Sequence, residues 1–268
     1  MDRAIGIFDS GLGGLSVVRA VANLLPNEDI LYFADFRNFP YGQRPPGEVE
    51  KLVTAAAQFF LKNCVKVIVL ACNTASVLGT DAAKTVAGEI PVVNMVGPTV
   101  RTTLRLQNLR RIGVIGTTGT ITSRVYESEF MRCCPTVEVF GRVCDGLLNF
   151  LGEGDLDNEV KLKSLVKKCL HPFEKSKIDA IVLGCTDLTC IARQLRQALT
   201  PSIHIIDPVD EVAATVNELL QTMGLRARKL RPGAFSFYAT GQAPSFTSKF
   251  ALKAFNISIN RIHSVEDF

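Results

Sequence analysis

Val67–Ser76 reads VIVLACNTAS: branched apolar residues, then a small residue, a cysteine and two hydrogen-bonding side chains. A short apolar run bounded by small or polar residues is the pattern of a fully buried parallel strand. In open α/β sheets, ligands bind in the loop beyond the carboxyl end of such a strand. A second stretch, Ile181–Cys190 (IVLGCTDLTC), repeats the arrangement, with Cys185-Thr186 standing 113 residues after Cys72-Asn73-Thr74. Each half of the chain therefore offers a thiol at a strand's end.

The repetition extends outward from both cysteines. Ala4–Phe8 is a short apolar strand ending in Asp9-Ser10-Gly11, and Arg111–Gly116 echoes it, with Thr117 standing roughly where Ser10 stands. In the first half the spacing predicts a helix over Leu15–Leu25, a strand over Ile30–Ala34 delivering Asp35, a helix over Glu48–Asn63, the cysteine strand, a helix near Ala75–Ala87 and a strand at Pro91–Met95. The second half predicts helix at Thr122–Met131, strand at Val137–Phe140, a short helix or turn at Leu147–Gly154, a long helix at Glu159–Glu174, strand at Ala180–Leu183 and strand at Ile203–Ile206. Similar landmarks recur at offsets of 107 to 113. The expected fold is α/β: two pseudo-symmetric lobes, each a mainly parallel sheet flanked by helices, with the active site in the cleft between them. A helix over Val209–Met223 and a strand over Phe235–Thr240 follow. The tail from Gly241 has little pattern.

Composition excludes several classes. With 47% hydrophobic and 21% charged residues, the 268-residue chain can build proper cores and is unlike a disordered protein. The +4 net charge is dispersed, and its densest stretch, Arg226–Arg231 (RARKLR), reads as a solvated surface segment, so no nucleic-acid partner is expected. No apolar run is long enough to span a membrane, and the N-terminus lacks a signal peptide. Eight cysteines without a secretory signal read as reduced cytoplasmic thiols rather than a disulfide framework. Without a Cys-x-x-Cys pair, and with His171, His204 and His263 far apart, a structural zinc site is not expected. The turn Gly11–Gly14 misses G-x-G-x-x-G because Ser16 fills the last position, which makes a dinucleotide site weak.

Two thiols on opposite faces of one cleft suit a reaction in which one group removes a proton and another returns one from the other side. Stereoinversion at a carbon beside a carboxylate is the natural example, with thiolate as base. Hydrogen-bond donors must then hold the developing negative charge, and Ser10, Asn73, Thr74 and Thr186 are of the right kind. Asp9, Asp187 and Glu153 are the acidic residues able to reach a thiol. The bland readings stand beside these. A cysteine closing a strand is ordinarily an inert core residue, and Cys64, Cys133, Cys134, Cys144, Cys169 and Cys190 keep that reading. Asp9 and Asp187 equally suit helix N-caps, and Glu153 alone suits the surface. Cys72 and Cys185 escape because they share neighbours and position.

These residues together resemble the glutamate racemases of the aspartate/glutamate racemase superfamily. The resemblance runs from Ala4 to Thr240. It rests on Phe8-Asp9-Ser10-Gly11, Asp35 with Pro40-Tyr41-Gly42 and Arg44, Ala71-Cys72-Asn73-Thr74-Ala75, Gly116-Thr117 with Thr120, Gly152-Glu153-Gly154, Gly184-Cys185-Thr186, and Phe237-Tyr238 with Gly241. It implies cofactor-independent racemisation supplying D-glutamate for peptidoglycan, with Cys72 and Cys185 working on opposite faces of glutamate. It further implies that Asp9 assists Cys72, that Glu153 supports the group beside Cys185, and that Ser10, Tyr41, Gly42, Asn73, Thr74, Thr117, Thr120 and Thr186 contact substrate. A cytoplasmic homodimer is implied, with residues 1–97 and 208–268 forming one lobe and 98–207 the other. Because the first strand starts near residue 4, no N-terminal extension able to hold an activator is expected.

One position departs from the pattern. The family's Cys-Thr-His is here Cys185-Thr186-Asp187. An aspartate accepts a proton as histidine does, but when ionised it opposes the thiolate. Three outcomes are open, in order: glutamate racemisation with a slower or pH-shifted step at Cys185; preference for another substrate such as aspartate; or a decayed enzyme that only binds. A binding module on this scaffold, or a one-cysteine decarboxylase, would not need both thiols.

Overall fold

The computed structural model describes residues 3–106, 108–154 and 156–266. The first half runs β1 (Ile5–Asp9), α1 (Leu15–Leu24), β2 (Ile30–Asp35), α2 (Pro46–Lys62), β3 (Val67–Leu70), α3 (Asn73–Ala87), β4 (Val92–Asn94) and α4 (Val96–Arg105). The second runs β5 (Arg111–Gly116), α5 (Thr118–Thr122), α6 (Val125–Cys133), β6 (Glu138–Val143), α7 (Asp145–Gly152), α8 (Glu159–Leu170), β7 (Ala180–Gly184), α9 (Ala192–Ala198), β8 (His204–Ile206) and α10 (Val209–Thr222). The chain then adds β9 (Phe235–Thr240), α11 (Thr247–Phe255) and β10 (Ile262–Val265).

The strands form two sheets, ordered β10-β9-β2-β1-β3-β4 and β6-β5-β7-β8, and every pairing is parallel. Without β9 and β10, the two orders are the same. Parallel strands covered on both faces are expected to be apolar on both, and the inner strands β3 and β7 are. In β3, Val67 and Val69 face one core while Ile68 and Leu70 face the other. In β7, Ile181 and Leu183 face one core and Ala180 and Val182 the opposite one.

The helix after the fourth strand of each half does not cover its own sheet. Val96 and Val100 of α4 are buried with Ile112 and Val114 of β5. Val209, Val212, Ala213, Val216 and Leu220 of α10 are buried with Ile5, Ile7 and Val67 of the first sheet. The two helices pass beside each other, and Glu211 pairs with Arg101 and Arg105.

Several expectations need correction. The tail from Gly241 carries α11, which buries Phe250, Ala251 and Phe255, and β10, which pairs with β9. The helix expected over Thr122–Met131 is two, divided at Arg124, whose φ is 55°. The long helix expected to Glu174 stops at Leu170 and continues as a 3₁₀ turn containing Pro172, which cannot extend an α-helix. Cys144 and Cys169 are not separate thiols. They form a disulfide with Cα atoms 5.5 Å apart, tying α7 to α8. Their separation of 25 residues carries no sign of this, because packing of the two helices brings them together.

Candidate active site

In each sheet the chain leaves the inner strands in opposite directions, so β1/β3 and β5/β7 are topological switch points. Asp9 ends β1 and Cys72 follows β3. Thr117 follows β5, and Cys185-Thr186-Asp187 follow β7. These ends face one another across a cleft lined by Asp9, Ser10, Tyr41, Gly42, Cys72, Asn73, Thr74, Thr117, Cys185, Thr186 and Asp187.

The lobes touch closely here. A Cβ on Gly13 would lie 2.5 Å from Thr186 Oγ1 and 2.6 Å from Asp187 Oδ1, so only glycine lets the first turn meet the second lobe. Tyr32 donates its hydroxyl to the Gly11 carbonyl at 2.7 Å and holds that turn. Asp9 accepts from the Gly11 amide at 2.7 Å through Oδ1 and from the Thr186 hydroxyl at 3.0 Å through Oδ2. Burial outweighs these bonds and pushes its carboxyl up to about 6.

Cys72 immediately precedes the first turn of α3, and its Sγ accepts the Ala75 amide at 3.5 Å, with Ser10 Oγ 3.6 Å away. Burial, then the neighbouring Asp9 carboxylate, push the thiol up to about 12. The α-helix amino end works in the other direction and favours thiolate. Cys185 opens only a 3₁₀ turn. Its thiol points at Asp187 Oδ2 from 3.9 Å, and burial followed by Asp187 holds it well above the ordinary thiol range. Burial and Asp9 push the Asp187 carboxyl up to about 7. The two thiols thus have similar positions and different proton acceptors.

Three sets of polar bonds cross the cleft floor. Thr186 to Asp9 is one. In the second, the hydroxyls of Thr74, Thr117 and Thr120 lie 2.9, 3.1 and 3.2 Å apart in a triangle spanning both lobes. Thr120 therefore sits behind the cleft wall and not on it. In the third, Tyr126 on α6 donates its hydroxyl to Asn73 Oδ1 at 2.5 Å, while Asn73 Nδ2 is buried with no partner among the described residues.

The cleft mouth was not anticipated. Phe39, Pro40 and Gln43 line it from one side and Asp145, Leu148 and Asn149 of α7 from the other. Asp145 accepts from the Thr118 amide at 3.0 Å and hydroxyl at 2.6 Å. Tyr41 donates to buried Asp35 at 2.6 Å, and Asp35 also accepts from the Thr240 hydroxyl, so β9 supports the mouth. The Asp35 to Pro40-Tyr41 pattern held that signal in the sequence; the α7 residues carried none. Glu153, expected to support the group beside Cys185, directly follows α7, is exposed and is not among the residues lining the cleft. His171 and His204 are also exposed and cannot replace the missing histidine. Among the described residues, no group of three His, Cys, Asp or Glu is placed to hold a metal ion, and no helix is long and apolar enough to cross a membrane.

The Asp/Glu/hydantoin racemase family matches residues 6–216. The chain belongs to this family. Among racemase relatives, the glutamate racemase of Symbiobacterium thermophilum is 34% identical over 244 residues, covering 91% of this chain and 88% of the relative. The racemase fold is shared with the glutamate racemase of Francisella tularensis, solved with D-glutamate (TM-score 0.91, 30% identity, 99% of this chain and 98% of that one). It is shared equally with a glutamate racemase isoform of Bacillus anthracis (TM-score 0.92, 32% identity, 98% and 97%).

Proposed function

We propose that this protein interconverts L- and D-glutamate without a cofactor, by proton removal and return at Cα from opposite faces. The observation that carries the reading is the pair of thiols at matching strand ends, each with its own carboxylate, facing one cleft. The relatives named glutamate racemase support the substrate.

In this reading, Asp9 or Asp187 in its ionised form takes the proton of the adjacent thiol. The thiolate removes the Cα proton, and the opposite thiol supplies a proton to the other face. The thiol just spent is reprotonated by its own carboxyl group. A carbon acid beside a carboxylate is weak, so fixed donors must meet the developing charge. Asn73 Nδ2, without a hydrogen-bond partner among the described residues, fits that task, together with Ser10, Thr74, Thr117, Thr186 and the backbone at Tyr41-Gly42. Thr120 holds Thr74 and Thr117 in place. The reading takes 1–97 with 208–268 as one lobe and 98–207 as the other. It extends, on resemblance, to a cytoplasmic homodimer supplying D-glutamate to peptidoglycan. Asp187 in the histidine position favours one second reading, that aspartate is the substrate.

Solvent deuterium incorporation at Cα, followed by NMR for each enantiomer of glutamate and aspartate, tests this. Exchange with inversion from both glutamate enantiomers is expected, and Cys72→Ser and Cys185→Ser should each remove the inversion. Inversion of aspartate alone would establish the second reading. Folded protein that exchanges none of the four would refute both.

A further inference from the structure

The side-chain amide of Asn73 is bonded at one end, Oδ1, from the opposite lobe, while its Nδ2 has no partner among the described residues. A primary amide has two ends of nearly equal shape, and only the NH₂ end can donate to an anionic substrate. Tyr126 is buried with Val96 and Val100 of α4, Ile112 of β5 and Phe130 of α6, and its hydroxyl lies 2.5 Å from Asn73 Oδ1. Thr99 is a second hydrogen-bonding neighbour, and its own proton goes to the Met95 carbonyl at 2.6 Å. The phenol proton therefore has two acceptors to choose from, a hydroxyl oxygen and an amide carbonyl, and the carbonyl is the stronger. Donation to Thr99 would instead turn the Asn73 carbonyl toward the cleft, against a substrate carboxylate.

We infer that Tyr126 is a positioning residue for the reaction: by donating to Asn73 Oδ1 it fixes the amide so that Nδ2 is the hydrogen-bond donor presented to the substrate. The inference rests on the racemase reading of the cleft. It assigns to α6 a role that neither thiol nor carboxylate performs. The bond also joins the lobes, so the donor is correctly aimed only when the second lobe is seated against α3.

The test is a double-mutant cycle on kcat/KM for glutamate with Tyr126→Phe and Asn73→Ala. Tyr126→Phe should lower kcat/KM by about ten- to a hundredfold, the range of one lost or misaimed donor, with the melting temperature little changed. In the Asn73→Ala background the same change should cost almost nothing, because the group it aims is gone. An equal loss in both backgrounds, or no loss from Tyr126→Phe alone, overturns the inference while leaving the racemase reading intact. Wild-type protein that turns over no glutamate overturns that reading, and the inference with it. As a second measurement on the wild-type chain, D-glutamate titration should shift the side-chain amide NMR signals of Asn73, and their failure to move would also overturn it.

Discussion

Asp9 and Asp187 are carboxylates held in a buried cleft, and both bind their protons more tightly than a free carboxylate does. For Asp9 the shift from 3.8 to about 6 has a definite sign in stability. The folded state holds the proton over that window and the unfolded state does not, so stability falls as pH rises from about 4 to about 6. Above that range the ionised group costs about 3 kcal/mol. Asp9→Asn should therefore melt higher than wild type at pH 8, with the difference vanishing below about pH 4, while catalysis at Cys72 is lost. Asp187 loses its capacity to take a proton as pH falls through about 7. The acid limb of kcat/KM should thus carry apparent values between about 6 and about 7. Asp187→Asn should remove the upper one and lower kcat/KM by about a hundredfold or more. An unchanged profile in that variant would exclude Asp187 as the acceptor for Cys185. The thiols, their polar neighbours and Asp187 were all legible because they follow buried strands directly in sequence. The place of Glu153 depends on where α7 stops, which no local pattern fixes, and a tyrosine within a helix, such as Tyr126, carries no local mark of a bond to another lobe.

At the scale of elements, the site depends on how α3 is seated. Its amino end carries Cys72, Asn73 and Thr74, and its middle packs against α2 at Gly79. A Cβ there would lie 2.6 Å from Val53 Cβ and Cγ2, closer than such atoms approach. Gly79→Ala gains about 1 kcal/mol of helix propensity and loses about 1–3 kcal/mol to overpacking. The second term should win, lowering the melting temperature by a few degrees and kcat/KM with it, because α3 must shift away from α2. A variant more stable than wild type would show that the α2–α3 contact relaxes freely. Strands flanked by helices were readable where both faces are apolar, as in β3 and β7. β10 was not, because Ile262–Val265 is a half-exposed edge strand with no apolar run. In α11 the helical spacing of Phe250, Ala251, Ala254 and Phe255 was a usable signal that went unread.

For the whole molecule, the duplication visible in the sequence became two sheets of matching order, while the contacts between them remained invisible until the lobes were placed together. A ligand bound in the cleft touches both lobes and should stabilise them jointly. D-glutamate at a hundred times its Kd should add about 2.7 kcal/mol, or roughly 5–10 °C in melting temperature. Cys72→Ala should retain most of that shift, since binding does not need the thiol. A ligand-induced shift confined to one of two separate unfolding transitions would show that the cleft does not couple the lobes.

The crossing of α4 and α10 has a further consequence. Each half donates its last helix to cover the other half's sheet, an intramolecular swap between two related units. Neither unit is complete alone: with only its own strands and helices, the first would leave the β1–β3 face bare where α10 lies, and the second the β5 face where α4 lies. The two crossing segments also run side by side, pinned by Glu211 to Arg101 and Arg105. They form a double strap between the two units. The two units are therefore tied by exchanged cover as well as by the cleft, so neither can unfold without baring part of the other's core.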